Sequence, residues 1–170
     1  MAWSCVLIPE LDRIERVQAA GFVLGEQGGV LIVAIGFVDD VYLVDPGREG
    51  VREVLWDVGE RDDGVLQVKD PSGDSVELTR PGWQGDALDK CARGEFVLLR
   101  SGSGDEVYIR EAGPVRGTLC VRDYPYHAPV GGFSPDCAFA FLLGAPELLV
   151  YRFEEEPDKS PRGATKRRPG

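Results

Sequence analysis

Asp123, His127 and Cys137 are residue types from which a thiol hydrolase is built. A histidine base takes the proton of a cysteine nucleophile, and a carboxylate orients the ring. His127 follows Asp123 by four residues and precedes Cys137 by ten. An activated cysteine, however, needs an electropositive setting or a helix N-terminus to lower its pKa. Cys137 instead opens the apolar run Cys137–Leu143, which reads as core. The chain is therefore read as non-enzymatic, and a small hydrolase using Cys137, His127 and Asp123 is the alternative.

Other chemistries find less. His127 is the only histidine, and Cys5, Cys91, Cys120 and Cys137 form no CxxC or CxxH pair, so no metal and no cofactor are expected. The four thiols are expected to be reduced and mostly buried as small apolar groups. The carboxylate groups Asp39/Asp40, Glu60/Asp62/Asp63 and Asp105/Glu106 all fall at turns, where solvation explains them. The glycine-rich loops Gly25–Gly29 and 101–104 lack the Lys-Ser/Thr of a phosphate-binding loop.

Positioning of these groups falls to short strands. Twenty-two glycines and twelve prolines imply many turns. Apolar runs at 22–24, 30–37, 41–44, 51–58, 65–68, 75–79, 95–100, 106–110, 117–122, 137–143 and 148–153 read as strands between turn clusters. Lys69-Asp-Pro-Ser-Gly-Asp is a hairpin loop, with proline presetting one dihedral and glycine supplying a positive φ. Leu11, Ile14, Val17 and Ala20 after Pro9 predict an N-terminal helix over about 10–20. Asp86 and Gly94 bracket a short middle helix carrying Leu88 and Cys91. The fold class expected is α+β, mostly antiparallel β, as a sandwich or partly closed barrel with these two helices. A globular domain is expected over 1–153 and a flexible basic tail over 154–170.

Two segments resemble known families. Lys69-Asp-Pro-Ser-Gly-Asp-Ser-Val-Glu-Leu looks like the Asp-Pro-x-Gly hairpin of glyoxalase and bleomycin-resistance proteins, as to a smaller extent does Val41-Tyr-Leu-Val-Asp-Pro-Gly. That family's metal site uses histidines and glutamates on strands, and the single histidine here lies far downstream, so the activity does not carry over. Gly21-Phe-Val-Leu-Gly through Val30–Ala34, Val41-Tyr-Leu-Val-Asp-Pro and Val54-Leu-Trp are similar to a repeated module of betaherpesvirus host-response regulators, whose superfamily includes bacterial toxin-immunity proteins. That resemblance covers about a fifth of the chain and implies a non-enzymatic binder.

Charge points the same way. The chain carries −10 overall, but Lys159 to Gly170 holds five basic and no acidic residues, leaving 14 basic against 29 acidic side chains, or −15, in residues 1–158. Such a body repels nucleic acid and anionic membranes and suits a basic protein surface. The opening Met1-Ala-Trp-Ser-Cys lacks a basic signal-peptide region, and the uncharged stretch Gly28–Val38, at eleven residues, is too short to span a bilayer. A cytoplasmic protein is expected, with nuclear import through the basic tail as a variant reading.

The loop Asp123–Asp136 sets Tyr124, Tyr126, His127 and Phe133 among three prolines and two glycines, a stiffened surface suited to partner contact. The function expected is a protein-binding, inhibitory module that blocks a basic partner, as a toxin-immunity protein or host-defence antagonist does. Tyr124, Tyr126, His127 and Phe133 are the expected contacts, and Asp39, Asp40, Asp62 and Asp63 the steering charges. Lys166, Arg167 and Arg168 form a candidate targeting or nucleic-acid-contacting arm, which also leaves a structural or assembly subunit as a third reading.

Overall fold

A computed structural model describes residues 2–25, 27–79, 90–101, 104–111, 117–122, 130–144 and 147–155. Nearly every one of these segments is strand or turn. Strands β2 (Ala19–Leu24), β3 (Val30–Ile35), β4 (Val41–Asp45) and β5 (Gly50–Val54) form a first antiparallel meander. A second contains β6 (Asp57–Glu60), β7 (Leu66–Lys69) and β8 (Ser75–Leu78), and a third β9 (Lys90–Cys91), β10 (Gly94–Ser101), β11 (Gly104–Glu111) and β12 (Gly117–Arg122). The fourth joins β13 (Val130–Phe133), β14 (Phe139–Gly144) and β15 (Glu147–Glu154) to β1 (Ala2–Cys5), which pairs with β15 as the outer strand.

Side-chain alternation decides how these sheets pack, because successive residues of a strand point to opposite faces. Ile32, Ala34 and Val44 of the first sheet meet Phe141, Leu143, Leu148 and Val150 of the fourth in one core, together with Val6, Ile8, Ile14 and Val17. The opposite face of the first sheet sends Val33, Ile35, Val41 and Leu43 against Val68 and Leu78 of the second. The opposite face of the fourth sends Trp3, Phe133, Ala140, Leu142 and Tyr151 against Val107 and Ile109 of the third. The layers therefore run second, first, fourth, third. The inner strands of the two central sheets are covered on both faces, which is why β3 and β14 are continuous apolar runs, while the edge strand β5 exposes Arg52 and Glu53. The outer sheets keep one wet face, and Ser75-Val-Glu-Leu alternates accordingly.

Close backbone approach fixes two of the junctions. Ala20 and Thr79 exchange backbone hydrogen bonds of 2.9 and 2.8 Å, joining the edges of the first and second sheets. Beside them, a Cβ on Gly21 would lie 2.8 Å from the Glu77 carbonyl oxygen, so only glycine fits. Between the third and fourth sheets, a Cβ on Gly131 would run into the Phe96 ring.

Several expectations need correction. The N-terminal helix is a single 3-10 turn, Pro9–Arg13, and Ala19–Leu24 is strand. Apolar residues spaced strictly by three drift about 60° per step around an α-helix and form no stripe. Here Arg16 takes a φ of 48°, and Ile14 and Val17 enter the core from an irregular segment. The middle helix fails where it is described, since Lys90–Cys91 pairs with β10 as strand. Gly94 is not a helix cap but a point of close approach, where a Cβ would lie 2.9 Å from Trp3 Nε1. Residues 80–89 lie outside the described residues. Strand 51–58 is two strands that bend at Leu55 and Trp56, yet Val54, Trp56 and Val58 all pack against the same core, which is why they read as one. Strands β1 and β13 were not expected. The sheets stack openly and do not close into a barrel. Among the described residues no helix is long and apolar enough to cross a membrane.

Phe133 also departs from expectation: it is 1% exposed and lies 5.3 Å from the Trp3 ring and 4.8 Å from the Phe96 ring, centroid to centroid. It is core, not a surface contact. Phe133→Ala is expected to cost about 3–5 kcal/mol of unfolding free energy in a denaturant titration. A change near zero would remove Phe133 from the core.

Candidate functional site

The β3–β4 hairpin presents apolar side chains to water on a rigid support. Phe37 and Val38 are 56% and 69% exposed at its tip, followed by Asp39 and Asp40. The Gly36 N–H donates to the Asp40 carbonyl at 2.9 Å, and Asp39 takes a φ of 64°. A side chain clamps the tip from outside: Gln18 Nε2 donates to the carbonyls of Gly36 and Phe37, both at 2.8 Å. The Phe37 N–H donates to the Glu15 carbonyl at 3.1 Å, and the Arg16 guanidinium lies 5.2 Å from the Phe37 ring centroid. The tip is therefore held in place by contacts within the chain.

The segment that clamps the tip also walls a groove of about 560 Å³, lined by Leu7, Leu11, Glu15, Arg16 and Leu149 among others. Leu7 is 79% exposed there. Tip and groove thus share Glu15 and Arg16 and form one apolar surface edged with acids. The acidity is felt nearby: burial first, then the charges of Asp40, Glu53 and Glu15, push the Tyr42 hydroxyl above its usual range. No ion pair engages Asp39 or Asp40 among the described residues, whereas Asp63 pairs with Arg61 at 2.8 Å and accepts the Val65 N–H at 3.3 Å. Asp62 is exposed in the same β6–β7 turn. The two aspartate pairs are thus unequal as sources of field, the first being the freer.

Four thiols form a second constellation. None is fully buried, contrary to expectation: Cys5 is exposed, and Cys91, Cys120 and Cys137 are half-buried. They lie at the edges of the third and fourth sheets. At one edge Cys91 and Cys137 are neighbours, and burial first, then the Cys137 side chain, pushes the Cys91 thiol up. At the other, Cys120 faces Cys5 and hydrogen-bonds to Tyr151, and burial pushes its thiol up to about 11. Burial thus lowers the thiolate fraction of Cys91 and Cys120, so neither is an activated catalytic cysteine.

Cys137 does not begin a strand. It closes a turn in which its N–H donates to the Ser134 carbonyl at 2.8 Å and its φ is 56°. Ser134, fully buried, donates its hydroxyl to Asp136, and Asp136 accepts the Ala138 N–H at 3.0 Å. Asp123, Tyr124, Tyr126 and His127 lie outside the described residues, as do Lys166, Arg167 and Arg168. The structure thus brings Cys137 together with Cys91, a pairing that sequence spacing gave no means to find. The tip was legible in part, since Gly36 and Asp39-Asp40 are turn formers. The run Val30–Phe37 nevertheless read as one buried strand.

Burial raises the Asp136 carboxyl, but hydrogen bonds from Ser134 and Ala138 and the charge of Arg93 outweigh this and hold it below the usual range. A carboxylate depressed in the folded state contributes stability that is present above the unfolded value, about 3.9, and lost as pH falls through the folded value. Asp136→Ala is therefore expected to lower stability at neutral pH, with the gap to the wild type closing below about pH 4. A gap unchanged down to pH 2 would show that the carboxylate's charge is not what holds the turn. No protein-family model, curated protein or solved structure matches this chain.

Proposed function

We propose that this protein is a non-enzymatic binding module that occupies and blocks the surface of a basic partner protein. A toxin-immunity protein or an antagonist of a host-defence factor acts in this way. The observation that carries the reading is the clamped tip Phe37-Val38-Asp39-Asp40, two exposed apolar side chains beside two carboxylates without ion pairs among the described residues. Exposed apolar surface with a charged rim is the composition of a contact patch, and its preorganisation reduces the cost of association. The charge of −15 over residues 1–158 supplies a field that steers a cationic partner inward.

In this reading Asp39 and Asp40 act chiefly on the association rate, with Asp62 adding to the field and Asp63 contributing less because Arg61 offsets it. Phe37 and Val38 act on the dissociation rate, because their burial is lost only when the complex opens. Tyr124, Tyr126 and His127, which precede β13 in sequence, extend the contact. The working compartment is the cytoplasm.

The test is capture of partners from the native host with the full chain, followed by kinetics on each purified partner. Asp39→Lys with Asp40→Lys is expected to slow association about tenfold at low salt and to flatten its salt dependence. Phe37→Ser with Val38→Ser is expected to speed dissociation with little change in association. A partner that binds both variants as it binds the wild type would place the contact surface elsewhere.

A further inference from the structure

We infer that Cys91 and Cys137 are a reversible disulfide site that clasps the third sheet to the fourth. The two residues belong to different layers, Cys91 to β9 and Cys137 to the turn between β13 and β14. Arg93 reaches both. Its backbone N–H donates to Cys91 Sγ at 3.4 Å, and its guanidinium donates to the Cys137 carbonyl at 3.4 Å. The same guanidinium donates to Glu155 at 3.1 Å and sits 4.7 Å from the Phe153 ring centroid, so it is held from several sides. The Cys137 side chain is also near enough to Cys91 to push that thiol up further, after burial.

The backbone at Cys137 adds an independent observation. A φ of 56° at the end of a tight turn is where glycine or asparagine is ordinarily found, and another residue there carries strain. Strand order supports the same picture, because β13 and β9 are edge strands of facing sheets. Among the described residues neither sheet carries a further strand beyond β9 or β13.

The oxidant class is a low-molecular-weight disulfide, RSSR. One protein thiol, as thiolate, attacks RSSR to give a mixed disulfide and one RSH. The second thiol then displaces the remaining RS group, which leaves as a second RSH. The net change is two protein thiols and one RSSR to one protein disulfide and two RSH, with two protein sulfurs oxidised and two reagent sulfurs reduced. A dithiol reverses it.

The full chain would be incubated under native conditions with oxidised glutathione, alkylated, and mapped by mass spectrometry. The expected product has lost two hydrogens and two alkylatable thiols, links the peptides of Cys91 and Cys137, and unfolds at a higher temperature than the reduced chain. Cys137→Gly suits the positive φ at that position, and the variant should form no link and instead retain a glutathione on Cys91. Cys5→Ser should form the link as the wild type does. Glutathione persisting on Cys91 or Cys137 of the wild type without the link would overturn the inference. So would a link that forms only in denaturant, a link confined to Cys5 and Cys120, or no reaction at all.

Discussion

Two sheets whose inner strands are covered on both faces impose the constraint from which the rest of this structure follows. An inner strand of such a sheet has no wet side on which to place a polar residue. Every position from Val30 to Ile35 and from Phe139 to Leu143 is accordingly apolar. Flanking sheets are then obligatory, since leaving either central face open would expose a contiguous apolar surface. The second and third sheets meet that demand. N-terminal β1 completes the fourth, placing Trp3 between Phe133 and Phe153 at 5.3 Å from each.

The constraint also decides where function can reside. With the layer interiors filled, the described residues meet solvent at the outer faces of the second and third sheets, at hairpin tips, at sheet edges and in connecting segments. The clamped β3–β4 tip lies where a central sheet runs out past its cover, so its apolar pattern continues into water as Phe37 and Val38. The cysteines lie at the sheet edges, half covered. An apolar tip edged with carboxylates and paired thiols across a layer boundary both arise from the margins of the stack.

Strand content was largely legible in the sequence because turn chemistry is local. The Asp70–Asp74 loop shows this: Ser72 and Asp74 backbone N–H groups donate to Asp70 Oδ1 at 2.9 and 3.0 Å, as the residue types suggested. The Ser72 hydroxyl first, aided by those N–H groups, holds Asp70 below the usual carboxylate range. What composition could not supply was depth. Phe133 lies in a segment of prolines, glycines and tyrosines that reads as surface, yet a neighbouring sheet buries it. Ile14 and Val17 looked helical because apolar spacing records burial, not the backbone path that achieves it. The Cys91–Cys137 contact arises from layer stacking, a relation between residues distant in sequence that no local pattern encodes.

Native-state hydrogen exchange on the intact protein tests the layered arrangement most directly. If the first and fourth sheets are central, the amides of β3 and β14 exchange only through global unfolding, and those of β5 and β6 open earlier by local fluctuation. Amides of β3 or β14 that exchange as fast as those of β6 would mean that these strands are not enclosed on both faces, and the four-layer account would fail.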